Sequence, residues 1–387
     1  MAELKRVLGF WTILFLSIAS IMGTGMFFGA GIGARYSGNA SILSWVIISF
    51  VSVYISMFFS ELVSMFPKAG GVYEFSKQAY SRFTSFIMGW LAWIVGNLTT
   101  ALLIVAAIDY LIPDPSQFAL KLAVSIILII LLNAIAFFGI EASGMVVVVL
   151  SALSMGLILS VIFPGVFIME ISNLTPFFNY GIAPILVTIF FIAEAFYGWE
   201  SATYLSEETK NPEKTIPKAL IYGTIIVGIL AILISSVSLG MVPFQILIAT
   251  TAPLSIVFER IYGALGNLLN YGVFIALIGS AAGGIITMPR LILALARDKL
   301  FIAQLSEIHP VFKTPYKAII FQTIISLIIF GMAFGRYRTL LSLLLPLGLI
   351  MYILIIMIVP ILRHKYPDAP RSFKVPFGKI GAYLLVG

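Results

Sequence analysis

LGFWTILFLSIASIMGTGMFFGAGIG, residues 8–33, runs for 26 residues without a charge and is interrupted near its centre by Gly23-Thr24-Gly25. A bilayer core of ~30 Å needs about 20 apolar residues at 1.5 Å per residue, so this run is long enough to cross a membrane as a helix. Glycine weakens a helix by about 1 kcal/mol relative to alanine, and two glycines flanking a threonine put a weak point at mid-depth. The stretch predicts a transmembrane helix broken in its middle.

The composition around it agrees. Of 387 residues 61% are apolar and 10% charged, where a soluble domain this long would carry roughly 95 charged residues. With a mean hydropathy of +1.10, a soluble enzyme, a disordered chain and a nucleic-acid reader are excluded. The net charge of +7 comes from basic residues scattered singly between apolar runs, so no nucleic-acid partner is expected. There is no cysteine, hence no disulfide framework, thiol nucleophile or Cys-ligated metal. The first run continues past the length of a cleavable signal and lacks an A-x-A site.

Ten runs of spanning length follow one another, roughly at 8–33, 41–66, 83–111, 118–138, 144–169, 183–206, 217–242, 266–296, 316–334 and 339–362. An eleventh begins near Ile380 and stops at Gly387, which favours a fragment. Alternating sides from a cytoplasmic N-terminus places 18 of the 23 basic residues inside, leaving Arg35, Lys121, Arg260, Arg336 and Arg338 outside. The positive-inside rule supports that count. The stretch Val242–Gly266 reads as an outer re-entrant or surface helix pair, and Ala69–Arg82 as a partly helical loop on the membrane.

A second interruption, Ala195-Phe196-Tyr197-Gly198-Trp199-Glu200, lies in the sixth run, five spans after the first. An odd offset inverts the second half relative to the first. Paired breaks in matching positions point to a transporter with an inverted repeat and a midplane site. The expected fold is an all-α polytopic membrane protein with an inverted five-plus-five repeat and broken helices 1 and 6. Residues 1–169 and 170–362 form its halves, and 363–387 form a cytoplasmic loop and the start of a truncated span 11. Amides freed by a break can hold a carboxylate and freed carbonyls an ammonium or small cation, and an α-amino acid carries both charges.

At the level of motifs, Ile21-Met22-Gly23-Thr24-Gly25-Met26-Phe27 resembles the Gly-Ser/Thr-Gly break of the amino acid–polyamine–organocation superfamily. Pro67-Lys68-Ala69-Gly70-Gly71-Val72-Tyr73 is similar to its counterpart after span 2. So is the block from Gly198-Trp199-Glu200 through Glu207-Glu208-Thr209-Lys210-Asn211-Pro212 to Ala219, and the resemblance continues through Arg290, Ala296-Arg297-Asp298 and Lys313-Thr314-Pro315. It covers essentially the whole chain in order. It implies a cell-membrane carrier of amino acids working by alternating access, with the twelve-span architecture lacking its last two spans here. Trp93-Ile94-Val95-Gly96-Asn97 looks like the span 3 of basic amino acid antiporters.

The resemblance implies a substrate site at Met22, Gly23, Thr24 and Gly25, which would cradle the substrate carboxylate, facing Phe196, Tyr197 and Gly198, whose carbonyls would take the ammonium. Asn97 joins them, and Glu200 would position the unwound segment or a gate. Glu194 departs from the family pattern, which places an aromatic or apolar residue there. On a regular helix it shares a face with Tyr197, 300° away. A carboxylate facing the site leans the substrate towards cationic amino acids or amines. Alternatively, Glu194 is a protonated or internally paired carboxyl with a packing role, or the proton site of a proton-coupled carrier of neutral amino acids. Ser154 stands near the place where some proton-coupled members carry a span 5 lysine, and Ser280 in span 8 resembles the opposing face. With Glu194 they are the ion-coupling candidates, for H⁺ or Na⁺. No cofactor or metal is expected, and oligomeric state stays open. An intramembrane enzyme lacks a His or Cys within the spans, a channel lacks a ring of charges, and no G-x-x-x-x-G-K-[ST] phosphate loop is present.

Overall fold

In lipid every backbone N–H and C=O must be bonded internally, so apolar runs of this length have little choice but to become helices. The computed structural model describes residues 4–114, 116–250, 252–333 and 337–386. The first run forms α1 (Phe10–Ile21) and α2 (Gly25–Ser37), and α3 (Ser41–Met65), α4 (Val72–Ala79), α5 (Arg82–Leu111), α6 (Phe118–Phe137) and α7 (Ile140–Ile168) follow. The sixth run forms α8 (Pro184–Ile192) and α9 (Trp199–Tyr204), joined through a tight turn of helix at Ala193–Phe196. Then come α10 (Pro212–Met241), α11 (Phe244–Ala249), α12 (Pro253–Tyr262) and α13 (Leu269–Arg297). Last are α14 (Tyr316–Ala333), α15 (Tyr337–Lys365) and α16 (Gly378–Val386). Among the described residues there is no strand beyond an isolated bridge between Leu8 and Thr209.

Among the described residues, eight helical stretches are long and apolar enough to cross a bilayer. The first, Phe10–Met65, turns back at Gly38–Ala40 and so contains two of the runs read from sequence. The ninth run gives a shorter apolar helix, Tyr316–Gly331. The chain is an all-α polytopic membrane protein. The pair α11 and α12 and the short α4 stand where the sequence placed a surface helix pair and a partly helical loop.

Burial separates centre from rim: 78% of the apolar stretch of α5 is buried, against 28% for α6. Helices α1, α3, α5, α10 and α13 form the centre, with α1 packed on α10, α7 and α13. Small residues make that close approach feasible, as in Gly279-Ser280-Ala281-Ala282-Gly283-Gly284 of α13.

The face carrying the N-terminus is bolted shut by charge. Arg290 donates twice to Glu208 at 2.8 Å, both side chains fully buried. Val7 and Leu8 amides donate to the Glu208 carbonyl, and the Lys210 amide donates to the Leu8 carbonyl. Arg297 pairs with Glu207, whose carboxylate also accepts from the Ala69 amide. Lys77 and Tyr73 both donate to Asp298. Burial pushes the Asp298 carboxyl up, but those two hydrogen bonds outweigh it and hold it below the usual carboxylate range. Glu61 accepts from Arg363 and from the Val375 amide. His364 lies in the last turn of α15.

The opposite face instead holds a cavity of about 790 Å³ walled by Phe28, Arg35, Tyr110, Lys121 and Tyr337 among others. Lys121 donates to the exposed carboxylate of Asp109 at 2.8 Å. Among the basic residues assigned to this face, Arg336 and the Arg338 side chain lie outside the described residues, as does Gly387 at the chain's end.

Candidate functional site

The first break is Met22-Gly23-Thr24. Helix α1 ends at Ile21, the Met22 backbone leaves the helical region, and Thr24 is the residue that opens α2. Gly25 is already the first residue of α2, so the interruption is shorter than the glycine pair suggested. The second break is Tyr197-Gly198, after the 3₁₀ turn Ala193–Phe196; Trp199 and Glu200 belong to α9.

The two breaks touch. An ideal Cβ on Gly198 would lie 2.2 Å from the Ser20 carbonyl oxygen, and its φ of +132° is one that side chains rarely adopt. A Cβ on Gly25 would lie 2.3 Å from that of Ala195. Only glycine allows either approach.

Glu194 joins the breaks directly. One carboxylate oxygen accepts from the Thr24 amide at 3.3 Å. The other accepts from the Thr24 hydroxyl at 2.8 Å and the Gly25 amide at 3.2 Å. A carboxylate thus sits on the N-terminus of α2, where unpaired amides and the helix dipole favour negative charge. The seat that sequence reading gave to a substrate carboxylate is filled by the protein's own side chain. The regular-helix argument that set Glu194 and Tyr197 on one face does not apply, because residues 193–196 wind as a 3₁₀ turn and Tyr197 is extended. Tyr197 instead donates to the Leu345 carbonyl at 3.2 Å.

Glu200 accepts from Tyr352 at 2.9 Å, and the Tyr352 oxygen accepts from the Gly198 amide at 3.1 Å. Span 10 thereby holds the second break in shape. Phe196 is fully buried against Trp45, with ring centroids 6.5 Å apart. Ser280 donates to the Met22 carbonyl at 2.7 Å, tying α13 to the first break. Ser154 donates to Leu150 on its own helix. The carbonyl oxygen of Asn97 accepts from Gln322 of α14 at 2.6 Å, and Gln322 in turn accepts from Trp93. Among the described residues no group of His, Cys, Asp and Glu is arranged to hold a metal.

Three participants escaped the sequence. Tyr337 shares a hydrogen bond with the Thr24 hydroxyl at 2.9 Å and stacks on Phe28, roofing Glu194 from the opposite-face cavity. Tyr352 and Gln322 complete the other two networks. Tyr352 is a lone polar group in an apolar run, Gln322 stands beside Thr323 within one, and Tyr337 lies between Arg336 and Arg338, so only the first two carried even a weak signal.

Residues 8–386 match the family model described as amino acid permease. Across 97% of the chain and 84% of the relative, the sequence is 26% identical to the branched-chain amino acid permease BcaP of Bacillus subtilis (strain 168). The methylthioribose transporter of the same organism is 26% identical, covering 100% of the chain and 87% of the relative. Its serine/threonine exchanger SteT is also 26% identical, over 96% and 87%. These relatives are carriers rather than enzymes. Broken helices, buried carboxylates and a match along nearly the whole length converge: the chain belongs to the amino acid permease family, within the amino acid–polyamine–organocation superfamily.

Proposed function

We propose that this amino acid transporter is a secondary active carrier that works by alternating access and holds its substrate between the breaks of spans 1 and 6. The observation that carries the reading is the buried contact of Glu194 with the Thr24 and Gly25 amides, which joins the two breaks. Residues 1–169 and 170–362 would be the inverted halves whose relative rocking exposes that point to either face. The N-terminus is assigned to the cytoplasm, since 18 of 23 basic residues then lie inside. On that assignment the bolted face is cytoplasmic and the cavity opens outward.

Glu194 bears on the substrate's charge. It is buried, and among the described residues no Lys, Arg or His pairs with it. A charge at the bilayer centre costs about 3 kcal/mol on insertion scales unless something offsets it. A substrate ammonium offsets it, which favours cationic amino acids or amines. A proton offsets it equally, so the same bare carboxyl supports a second reading, proton-coupled carriage of neutral amino acids. Ser280 beside the Met22 carbonyl is the residue we assign to a coupling cation if sodium is used.

Uptake into proteoliposomes, with a panel of unlabelled competitors and with sodium and pH gradients imposed separately, tests the reading. Gly25→Leu should abolish saturable uptake while the protein still inserts, because its side chain collides with Ala195. Undiminished uptake by that variant would remove the breaks from the substrate path.

A further inference from the structure

Glu194 does more than add charge: it occupies a seat. We infer that its carboxylate stands in for the carboxylate of an amino acid, so that the site prefers organic amines, whose ammonium is not accompanied by a free α-carboxylate. The inference rests on the proposal that the substrate binds between the two breaks.

Three donors converge on one carboxylate, and all three come from span 1: the Thr24 amide, the Gly25 amide and the Thr24 hydroxyl. These are the donors that a broken helix offers to an incoming carboxylate. Glu194 has taken them, and it does so from the opposite break. Room for a second carboxylate is missing as well, since Ala195 already fills the space beside Gly25. The local charge points the same way. Glu200 is the second buried carboxyl at the breaks, held by neutral Tyr352, and the C-terminal end of α8 adds the negative end of its dipole. A zwitterion would bring a third negative group to a place with no cation to receive it. An amine brings only the charge that is lacking. The Ser20 hydroxyl, buried beside the same breaks without a hydrogen-bond partner among the described residues, is a further acceptor for an ammonium. An α-amino acid can bind only by displacing Glu194 from the donors.

Two series of matched competitors separate these cases: lysine, lysinamide and cadaverine, and leucine, leucinamide and isoamylamine. Each series keeps a side chain while the carboxylate is present, neutralised or removed. Against uptake of labelled cadaverine by the full chain in proteoliposomes, the amide and the amine should compete at least tenfold better than the parent amino acid. Glu194→Ala vacates the seat, and the order should then reverse in favour of the free amino acid. Thermal stabilisation of the purified wild-type protein by the same six compounds gives the ranking without any variant. Free amino acids outranking their amides and amines in the wild-type protein would overturn the inference while leaving the carrier site standing. An absence of saturable binding by either series would take down both.

Discussion

Glu208 and Glu194 are the same residue at similar burial, and their surroundings differ in one respect. Glu208 meets Arg290 in a two-pronged ion pair with both side chains fully buried. Glu194 meets only amides and a hydroxyl. A buried carboxylate with its own cation is finished business, and it serves to fasten one part of the chain to another. One held only by neutral donors has no cation of the protein to offset its charge, and on the proposed reading that leaves it to a proton or a substrate. The bolted face and the central breaks thus use one side chain for opposite ends.

Matched substitutions break or sharpen that contrast. Glu208→Gln strands Arg290 as a buried unpaired charge, and removing one partner of such a pair costs about 3–5 kcal/mol. Thermal unfolding in detergent should show this as a large loss of stability, with poor yield. Glu194→Gln has the same chemistry but strands no cation. It should change stability by no more than about 1 kcal/mol while altering the ranking of competing substrates. Equal destabilisation by both variants would erase the distinction. The smallest effect is expected from Ser280→Ala, which removes one hydrogen bond to the Met22 carbonyl. A loss of about 1 kcal/mol corresponds to a roughly fivefold weaker half-saturation for substrate or coupling cation. No change in either would make Ser280 a packing residue only.

Much of this is legible in the amino-acid sequence. Apolar runs bounded by Lys and Arg announce spans because lipid leaves the backbone no alternative to helix, and Gly23 with Gly25 announced a break because glycine is where a helix yields. What stayed hidden was partnership across the chain. Asn97 was read as a substrate ligand because its neighbours are familiar, and its hydrogen bond with Gln322, 225 positions away, was not visible from them. Glu194 was placed by regular helical rotation, and the chain there winds more tightly. Its hydrogen bonds to Thr24 and Gly25 span about 170 positions, and nothing in local sequence encodes them. Arg290 and Glu208 were both in recognised motifs, but spacing along the chain does not say which cation meets which carboxylate.

The seat of Glu194 has an electrical consequence. A charge crossing the whole membrane does work of about 2.3 kcal/mol per 100 mV. If a monovalent cation rides beside Glu194, the pair is neutral, and the loaded carrier can turn without feeling the membrane potential. Once the cation has left, the empty carrier turns back with the bare carboxylate, and only this return moves net charge through the field. A potential that is negative inside favours shifting negative charge outward, so it would drive uptake by hastening the return rather than the delivery. Stepping the voltage across reconstituted vesicles should then change the turnover rate at saturating substrate, and a turnover indifferent to voltage would mean that Glu194 never makes the journey uncompensated.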